Sequence, residues 1–339
     1  MISGTIAGSS SFTVYPLGEI TIPRPSYSYY YISYTPSSAV GTMWIRSNST
    51  ATPVSYQISS YSGMLSFGNS YPEYLSFESC TWSGIETNIP KFNEKCVFSN
   101  CTTLQKADLY KCTSLSFSAF KECSSLSQVR LPVCSYIGEG TFGFCKSLSY
   151  INLPMCSYIE DRGFDNCYSL SQVSLPMCEY IGKNAFESCS SLSQVSLPVC
   201  TTIGGSAFDN CSSLKQVDLP MCSSIGDYAF LECYSLKQVS LPKCSYIGVR
   251  AFYLCTSLSQ VSLPMCEYIG DYAFFNCTSL STIIIGYSGV CSLGVLAFYN
   301  TKITSSTGSI YVPASLVGAY KTTGEWRQYN EIIQSYPGL

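Results

Sequence analysis

Histidine is absent from this chain of 339 residues, and charged residues make up only 12% of it. Without an imidazole, the sequence excludes Ser-His-Asp triads, Cys-His nucleophiles, histidine metal ligands and histidine-based pH switches. The formal net charge is −3, so no basic field is present to attract a nucleic acid. Apolar runs are short as well, and Ile283, Ile284 and Ile285 form one of the longest, whereas a membrane-spanning helix needs roughly 20 residues. We therefore expect a protein that binds no nucleic acid and does not insert into a membrane.

Cysteine, in contrast, is abundant, with 20 residues. Between Cys101 and Cys277 a cysteine recurs every eleven residues, and its surroundings alternate between Ala-Phe-x-x-Cys and Leu-Pro-x-Cys. The true repeat is therefore 22 residues long and contains two cysteines. Nine registers of this repeat are marked by a leucine, at Leu104, Leu126, Leu148, Leu170, Leu192, Leu214, Leu236, Leu258 and Leu280.

One repeat contains the signals of a strand, a corner and a short helical segment. The stretch from Leu192 to Leu197 alternates apolar and polar residues, which is typical of a half-buried strand, and Pro198 ends it. Gly204 follows Ile203, where we expect a positive φ at a corner, and the next Ala-Phe is long enough for one α-helical or 3₁₀ turn. A single repeat cannot bury its apolar residues, but stacked repeats bury them in columns, which predicts a solenoid.

The recurring pattern Leu-x-x-Val-x-Leu-Pro-x-x-x-x-Ile-Gly-x-x-Ala-Phe-x-x-Cys-x-x-Leu resembles the BspA-like class of leucine-rich repeats, over approximately residues 101–313. This class occurs chiefly on bacterial surface proteins. The resemblance implies a mainly β, right-handed leucine-rich-repeat solenoid and a role in adhesion or protein binding. The sequence departs from the class in two ways. Its units are commonly one residue longer, and they carry an aliphatic residue at the position of Cys134 and Cys156.

The two ends break the repeat. Residues 1–78 contain short β-prone runs between prolines and glycines, which predicts a small antiparallel β-sandwich. Residues 34–51, including Pro36 and Trp44, are similar to the central motif of bacterial Ig-like modules. We assign residues 79–308 to the solenoid, with about nine coils. Residues 309–339 should form a capping strand and an amphipathic helix that begins at Ser315 as its N-cap and continues to Ile333.

The cysteine columns have three possible roles, namely zinc binding, disulfide bonds and packing. The eleven-residue spacing lacks the paired ligands of a zinc site, and disulfides would have to select alternate neighbours in a periodic column. We therefore expect no metal and no cofactor. Cys80, Cys96 and Cys291, which lie off the period, are the candidates for an oxidised pair. The others favour a column of small buried residues, comprising Cys123, Cys134, Cys145, Cys156, Cys167, Cys178, Cys189, Cys200, Cys211, Cys222, Cys233, Cys244, Cys255 and Cys266.

Candidate ligand-binding residues lie at positions that differ between repeats. Some are aromatic residues near the Ala-Phe segment, and the others face outward on the strand; they are Phe144, Tyr228, Tyr253, Tyr272, Phe275, Arg130, Tyr150 and Asp218. The alternative is that the aromatic residues only pad the edge of the coil. A second tyrosine column precedes the isoleucine and is regular enough to favour packing, at Tyr136, Tyr158, Tyr180, Tyr246 and Tyr268.

No catalytic motif is present, so we expect a non-enzymatic adhesion or protein-binding protein at the bacterial cell surface. A phage virion structural or receptor-binding protein is the first alternative, and a carbohydrate-binding protein is the second. The partner is expected to be a host or bacterial surface protein, or a glycan. Residues 1–5 lack the features of a secretory signal peptide, so we expect either another export route or a leader outside this sequence.

Overall fold

The computed structural model describes residues 84–87, 98–304 and 308–336 with their side chains, and otherwise only the backbone of strands between residues 2 and 97. The chain forms two compact units. The first comprises residues 1–156 and 163–170, and the second residues 157–162 and 171–339. Cys80 and most of the predicted Ig-like motif lie outside the described residues, as do the side chains of Trp44 and Cys96. The Ig-like module and the small β-sandwich therefore remain predictions.

The first unit begins with antiparallel strands. Ile2–Ile6, Ser10–Pro16, Gly63–Ser66 and Tyr31–Pro36 follow one another across one sheet, and Gly41–Ile45 pairs with Val54–Ile58. Trp82–Thr87 is antiparallel to Tyr31–Pro36 and parallel to Lys106–Asp108. Because of this shared strand, the sheet of the N-terminal segment continues into the first repeats without an open edge between them.

From the first repeat onward the fold is a parallel β-solenoid, as the sequence predicted, but it has about 11 turns instead of the expected nine coils. A typical coil has a long strand of three or four residues and a short strand of two. In the first unit the long strands are Lys106–Asp108, Gln128–Arg130 and Tyr150–Asn152; the two-residue strands are Leu75–Ser76, Lys91–Phe92, Cys96–Val97, Ser114–Leu115 and Tyr136–Ile137.

Most strands of the second unit pair in parallel at a spacing of 22 residues, for example Tyr180 with Thr202, and after the insertion the spacing changes, so that Tyr268 pairs with Ser292. The long strands are Gln172–Ser174, Gln194–Ser196, Gln216–Asp218, Gln238–Ser240, Gln260–Leu263, Thr282–Ile285, Ser309–Val312 and Ile333–Ser335. The short strands are Tyr158–Ile159, Tyr180–Ile181, Thr202–Ile203, Ser224–Ile225, Tyr246–Ile247, Tyr268–Ile269 and Ser292–Leu293.

The glycine after each isoleucine is required for a reason that differs from the prediction. Gly204 does not have a positive φ, but a Cβ there would lie 2.6 Å from the carbonyl carbon of Gly182 in the preceding coil. Glycine is needed because two backbones touch. The left-handed residues come later, as at Ser206 and Asn210, and they interrupt the expected helical segment, which consists instead of successive turns with i to i+3 hydrogen bonds.

The core consists of columns of identical side chains. Phe186, Phe208 and Phe230 are fully buried, and the centroids of neighbouring rings lie 5.3 Å apart in nearly parallel planes. The same contact continues to Phe252 and Phe274 at 5.2 Å. Stacked aromatic pairs contribute about 0.5–1.5 kcal/mol each beyond the burial of their area, so the ladder stabilises every junction between coils that it crosses.

The 18 cysteines with described side chains are all buried, and none of them forms a disulfide bond. The thiols also donate hydrogen bonds to buried carbonyls, which packing alone does not predict. In one column Cys211 Sγ and Cys233 Sγ lie 3.1 Å from the carbonyl oxygens of Phe186 and Phe208. In the other, Cys222 Sγ lies 3.3 Å from the carbonyl oxygen of Ser224. Cysteine therefore combines the size of a small apolar residue with a donor, and an aliphatic residue offers only the first.

The environment of the thiols suppresses their ionisation. Burial raises the pKa of Cys222 to about 11, and burial followed by the charge of Cys222 raises that of Cys200 to about 12. Cys291, predicted as a candidate for oxidation, is buried beside Cys266, and their hydrogen bond is the main reason why the pKa of Cys266 is raised. Cys134 differs, because a hydrogen bond with Cys112 lowers its pKa.

The C-terminal segment closes the second unit, but not as one helix. It comprises the 3₁₀ helices Lys302–Thr304, Ala314–Leu316 and Gly324–Tyr329 and the α-helix Val317–Thr322. Ser315 lies inside a 3₁₀ helix and caps nothing, and Gly324, with φ of +46°, lies at the break between the α-helix and the last 3₁₀ helix, after which Ile333 returns as a strand. The buried Trp326 donates from Nε1 to the carbonyl oxygen of Cys291 at 2.6 Å.

Candidate functional site

Each complete coil contains two residues with left-handed backbone, four positions apart. Asn and Ser occupy many of these positions, and short polar residues tolerate this conformation best after glycine. Three consecutive coils of the second unit instead have Tyr228, Arg250 and Tyr272 at the first position, with φ of 61°, 54° and 57°. Large side chains are strained by of order 1 kcal/mol each on this backbone, but Arg162 and Leu296 occupy the same position in other coils, so the site is marked by the contacts of these side chains and not by their backbone alone.

These three residues belong to one cluster, here called the aromatic patch, which comprises Tyr228, Arg250, Tyr253, Tyr272, Phe275 and Tyr299. The rings of Tyr253 and Phe275 stack with centroids 5.0 Å apart, and those of Phe275 and Tyr299 at 4.9 Å. Tyr272 inclines against Phe275 at 5.7 Å. Tyr299 is 52% exposed and the other members are half-buried, so the patch is partly open to solvent.

Arg250 lies among the rings of the patch. Its guanidinium carbon is 5.2 Å from the ring centroid of Tyr272, 5.7 Å from that of Tyr228 and 5.8 Å from that of Tyr253. These distances are within the range of cation–π interaction. Arg250 Nε is buried and has no hydrogen-bond partner within the described part of the chain. The patch therefore holds a positive charge in place through ring faces rather than through a carboxylate.

The nearest acidic side chains on the neighbouring turns are engaged with backbone. Asp227 Oδ1 accepts a hydrogen bond from Val249 N at 2.8 Å, and Asp271 Oδ1 accepts one from Val295 N at the same distance. Each carboxylate thus fixes the turn of the following coil, and these contacts position the residues that carry Arg250 and Tyr272.

The structure brings together four of the eight ligand-binding candidates, namely Tyr228, Tyr253, Tyr272 and Phe275. Phe144 lies in the first unit, where it lines a surface depression of about 310 Å³ together with Glu122 and Lys146.

The strand candidates are placed elsewhere. Arg130 forms an exposed ion pair with Asp108 at 3.2 Å in the first unit, where Tyr150 is 50% exposed. Asp218 is exposed on a long strand of the second unit. On the same face, a groove of about 430 Å³ is lined by Gln238 and Gln260, whose strands belong to two different sheets.

Sequence reasoning missed Arg250, Tyr299 and Asp209. Arg250 has the same position in its repeat as Tyr228 and Tyr272, so the repeat alignment contained a signal for it. Tyr299 follows an insertion around residues 286–290, which moves it out of the 22-residue register. Asp209 gives no signal in the sequence, because its raised pKa depends first on its burial in the fold and then on charges in the two neighbouring coils.

Asp209 is half-buried, and this burial, followed by the charges of Glu187 and Glu232, raises its pKa to about 7. Between about pH 4 and pH 7 the folded state therefore retains a proton that the unfolded state has lost, so the stability from this site falls over that range and is constant above it. We expect Asp209→Asn to stabilise the protein at pH 8 by roughly 1 kcal/mol, an amount discounted for solvent screening, and to have a much smaller effect at pH 4.

Urea unfolding at the two pH values measures this difference. Asp218→Asn, which removes an exposed carboxylate from a neighbouring strand, is the control and should change neither midpoint. Equal gains for Asp209→Asn at pH 4 and pH 8 would contradict the raised pKa.

Within the described residues, no group of three or more Cys, Asp or Glu side chains is arranged to hold a metal ion. None of the described helices is long and apolar enough to cross a membrane.

The family model described as BspA type leucine-rich repeat region matches six copies, over residues 70–193, 113–222 and 201–315. No curated protein matches the chain in sequence. Similar solved structures include a leucine-rich repeat protein from Bacteroides ovatus, which is 25% identical with a TM-score of 0.49 and covers 74% of this chain and 76% of its own.

Two further structures resemble the chain. A leucine-rich repeat protein of T. pallidum is 29% identical with a TM-score of 0.42, and 52% of this chain and 83% of that one are covered. A leucine-rich cell surface protein from Faecalibacterium prausnitzii is 20% identical with a TM-score of 0.35, and the coverage is 80% and 89%. The family model covers well over half of the chain, from residue 70 to residue 315. The protein is therefore a member of the BspA-type leucine-rich repeat family.

Proposed function

We propose that this protein is a non-enzymatic binding protein of the bacterial cell surface, and that the aromatic patch is its contact surface for a partner protein. Membership of a repeat family that occurs chiefly on surface proteins supports the location. The observation that carries the binding role is the cluster of rings around Arg250, whose guanidinium carbon lies 5.7 Å from the ring centroid of Tyr228 and 5.2 Å from that of Tyr272.

The composition of the patch supports a protein as the partner. Tyr and Arg dominate the few residues that supply most of the energy at protein interfaces, because they combine a large apolar area with polar groups and few flexible bonds. In the patch the rings support one another and surround Arg250, so little side-chain freedom remains to be lost on binding. A partner that places a hydrogen-bond acceptor beside Arg250 would pair with its guanidinium, whose contacts within the patch are with ring faces.

The left-handed backbone allows a test that separates binding from folding. Asn is well tolerated at φ near +57°, so Tyr272→Asn and Arg250→Asn should leave the melting temperature unchanged or slightly higher. The same variants should weaken binding by about 2 kcal/mol, or about 30-fold, because they remove the centre of the patch. Each variant should therefore keep the stability of the wild-type protein and have a lower affinity for the partner.

The partner is unidentified, so the probe is a peptide selected from a phage-displayed library on the wild-type chain. Its affinity for the variants is then measured by fluorescence anisotropy. Tyr150→Asn is the control, because Tyr150 is exposed and aromatic but lies in the first unit. Selected peptides that bind Tyr272→Asn as tightly as wild type, or a selection that yields none, would count against the proposal. Binding of glycans alone would favour the carbohydrate-binding alternative.

A further inference from the structure

The second unit has another partly exposed surface, separate from the aromatic patch. It is the column formed by the first residue of each short strand, here called the tyrosine column. Over six consecutive coils the column contains Tyr180, Thr202, Ser224, Tyr246, Tyr268 and Ser292, paired in register. The sequence analysis assigned its tyrosines to packing, but Tyr246 is 40% exposed and its coil neighbours are half-buried or exposed.

The tyrosines of this column stack in pairs. The ring of Tyr180 lies 4.4 Å from that of Tyr158, and the ring of Tyr246 lies 5.0 Å from that of Tyr268, with interplanar angles of 12° and 10°. Between the two pairs, Thr202 and Ser224 leave two coils without a ring. Strands are about 4.8 Å apart, so Tyr180 and Tyr246 face each other across roughly 14 Å, a notch that accommodates two more stacked rings.

From Tyr180 to Ser292 the order of large and small residues along the column is its own complement, whereas Tyr158, one coil earlier, has no counterpart because Ser292–Leu293 is the last short strand of this sheet. From Tyr180 onward the order is large, small, small, large, large, small. Read backwards, it is small, large, large, small, small, large. When two copies face each other with their solenoid axes antiparallel, every ring of one copy therefore lies opposite a small residue of the other. A two-fold axis parallel to the short strands, midway between the coils of Ser224 and Tyr246, produces this match.

We propose that this face is a homodimer interface in which a second copy of the chain inserts its tyrosine pair into the notch. The partner's Tyr268 lies opposite Thr202, and the partner's Tyr246 lies opposite Ser224. By symmetry, Tyr246 and Tyr268 fill the notch of the partner subunit. The rings of both copies then form one continuous ladder at the spacing that each pair already has.

The charges beside the column are compatible with this arrangement. Three residues further along each coil, Asp227 lies opposite the partner's Val249, and Asp271 lies opposite the partner's Gly205. On the preceding column, Glu267 lies opposite the partner's Thr201. The two-fold operation therefore brings none of these carboxylates against another carboxylate, which would oppose association.

The interface is small. Six coils extend over roughly 25–29 Å, and with its flanking columns the face covers of order 400 Å² per copy, or about 800 Å² in total, which is smaller than a stable specific interface and suits a weak, transient one. We therefore expect a reversible dimer with a dissociation constant in the micromolar range. This proposal does not depend on the aromatic patch, which lies on other columns of the coil.

The test is sedimentation equilibrium of the full chain over the micromolar range, with three variants. Ser224→Tyr places a ring opposite the partner's Tyr246, and Tyr246→Ser leaves a void. Each should weaken the dimer by about tenfold or more, because the symmetry applies every change twice. The double variant Ser224→Tyr with Tyr246→Ser restores a large residue opposite a small one, so its dimer should recover to within about threefold of wild type.

This rescue distinguishes the proposal from a purely structural effect, because both substitutions place residues that other coils of the same column already contain. Tyr136→Ser, in the first unit, is the matched control and should leave the dimer unchanged. The proposal is overturned by a wild-type chain that stays monomeric, by a dimer that neither single variant weakens, or by a double variant as weak as the single ones.

Discussion

The free energy of unfolding is expected to collapse between pH 8.5 and pH 10.5, a range in which most proteins of this size change little. Nine buried thiols have a raised pKa in the folded state, and burial is the first cause in all but one of them; they are Cys145, Cys167, Cys200, Cys211, Cys222, Cys233, Cys244, Cys255 and Cys266. In the unfolded chain these thiols ionise near pH 8.5.

The direction of the effect follows from proton binding. Above pH 8.5 the unfolded state loses thiol protons that the folded state keeps, so rising pH favours unfolding. Each thiol contributes about 1.4 kcal/mol per pH unit in this range, and nine of them give a slope of about 12 kcal/mol per unit. A domain is stabilised by about 5–15 kcal/mol, so the folded state should be lost near pH 9.5–10.

Urea unfolding at intervals from pH 7 to pH 10, with a reductant present, measures the slope. Cys211→Ser is the matched variant, because its hydroxyl keeps a donor for the carbonyl oxygen of Phe186 but does not ionise in this range. Its slope should be shallower by about 1.4 kcal/mol per pH unit. A thiol count near 20 in denaturant establishes that the cysteines were reduced. Equal urea midpoints at pH 7 and pH 10 would refute the expectation.

Gly204→Ala is expected to destabilise the protein by roughly 2–3 kcal/mol, although it adds one methyl group to a half-buried turn. The added Cβ would lie 2.6 Å from the carbonyl carbon of Gly182 and 2.8 Å from Lys183 N. Both atoms belong to the backbone of the preceding coil, which cannot rotate away as a side chain would. The two coils must therefore separate, and the neighbouring core contacts are stretched with them.

The adjacent glycine provides the control. A Cβ on Gly205 has Asp227 O as its nearest neighbour, at 3.2 Å, so only a small shift is required. Alanine there also reduces the freedom of the unfolded chain, and we expect Gly205→Ala to be nearly neutral. Thermal unfolding of both variants measures the difference. Similar losses for Gly204→Ala and Gly205→Ala would mean that backbone contact between coils is not what requires Gly204.

The periodic part of the fold could be predicted from the sequence because each signal is repeated in many coils. The strand around Val195, its end at Pro198 and the inward cysteines were all derived from the 22-residue period, and the structure has the strand and the buried thiols. The reason for Gly204 was predicted wrongly, because the sequence shows that a side chain is missing but not whether φ or a neighbouring backbone requires its absence.

Features that depend on contacts between non-equivalent positions were not predictable. The patch joins Arg250 to Tyr253 of the same coil and to Tyr272 of the next, and no single column contains that combination. The predicted C-terminal helix failed for a related reason. Its apolar spacing suits a helix, but Gly324 turns the chain and the ladder beside Ser309–Val312 takes Ile333 as a strand.

The strict register of Tyr180 with Thr202 and of Ser224 with Tyr246 makes the coil the natural unit of heritable change. Unequal recombination between near-identical repeats removes or adds 22 residues at a time, and the remaining strands, glycines and thiols still meet their counterparts. Loss of one coil between Tyr180 and Tyr246 would shorten the space for two rings to a space for one. A lineage that changes the length of its solenoid in this way also changes which copies of the chain fit together. A single genetic event would therefore alter both the length of the solenoid and the choice of dimer partner.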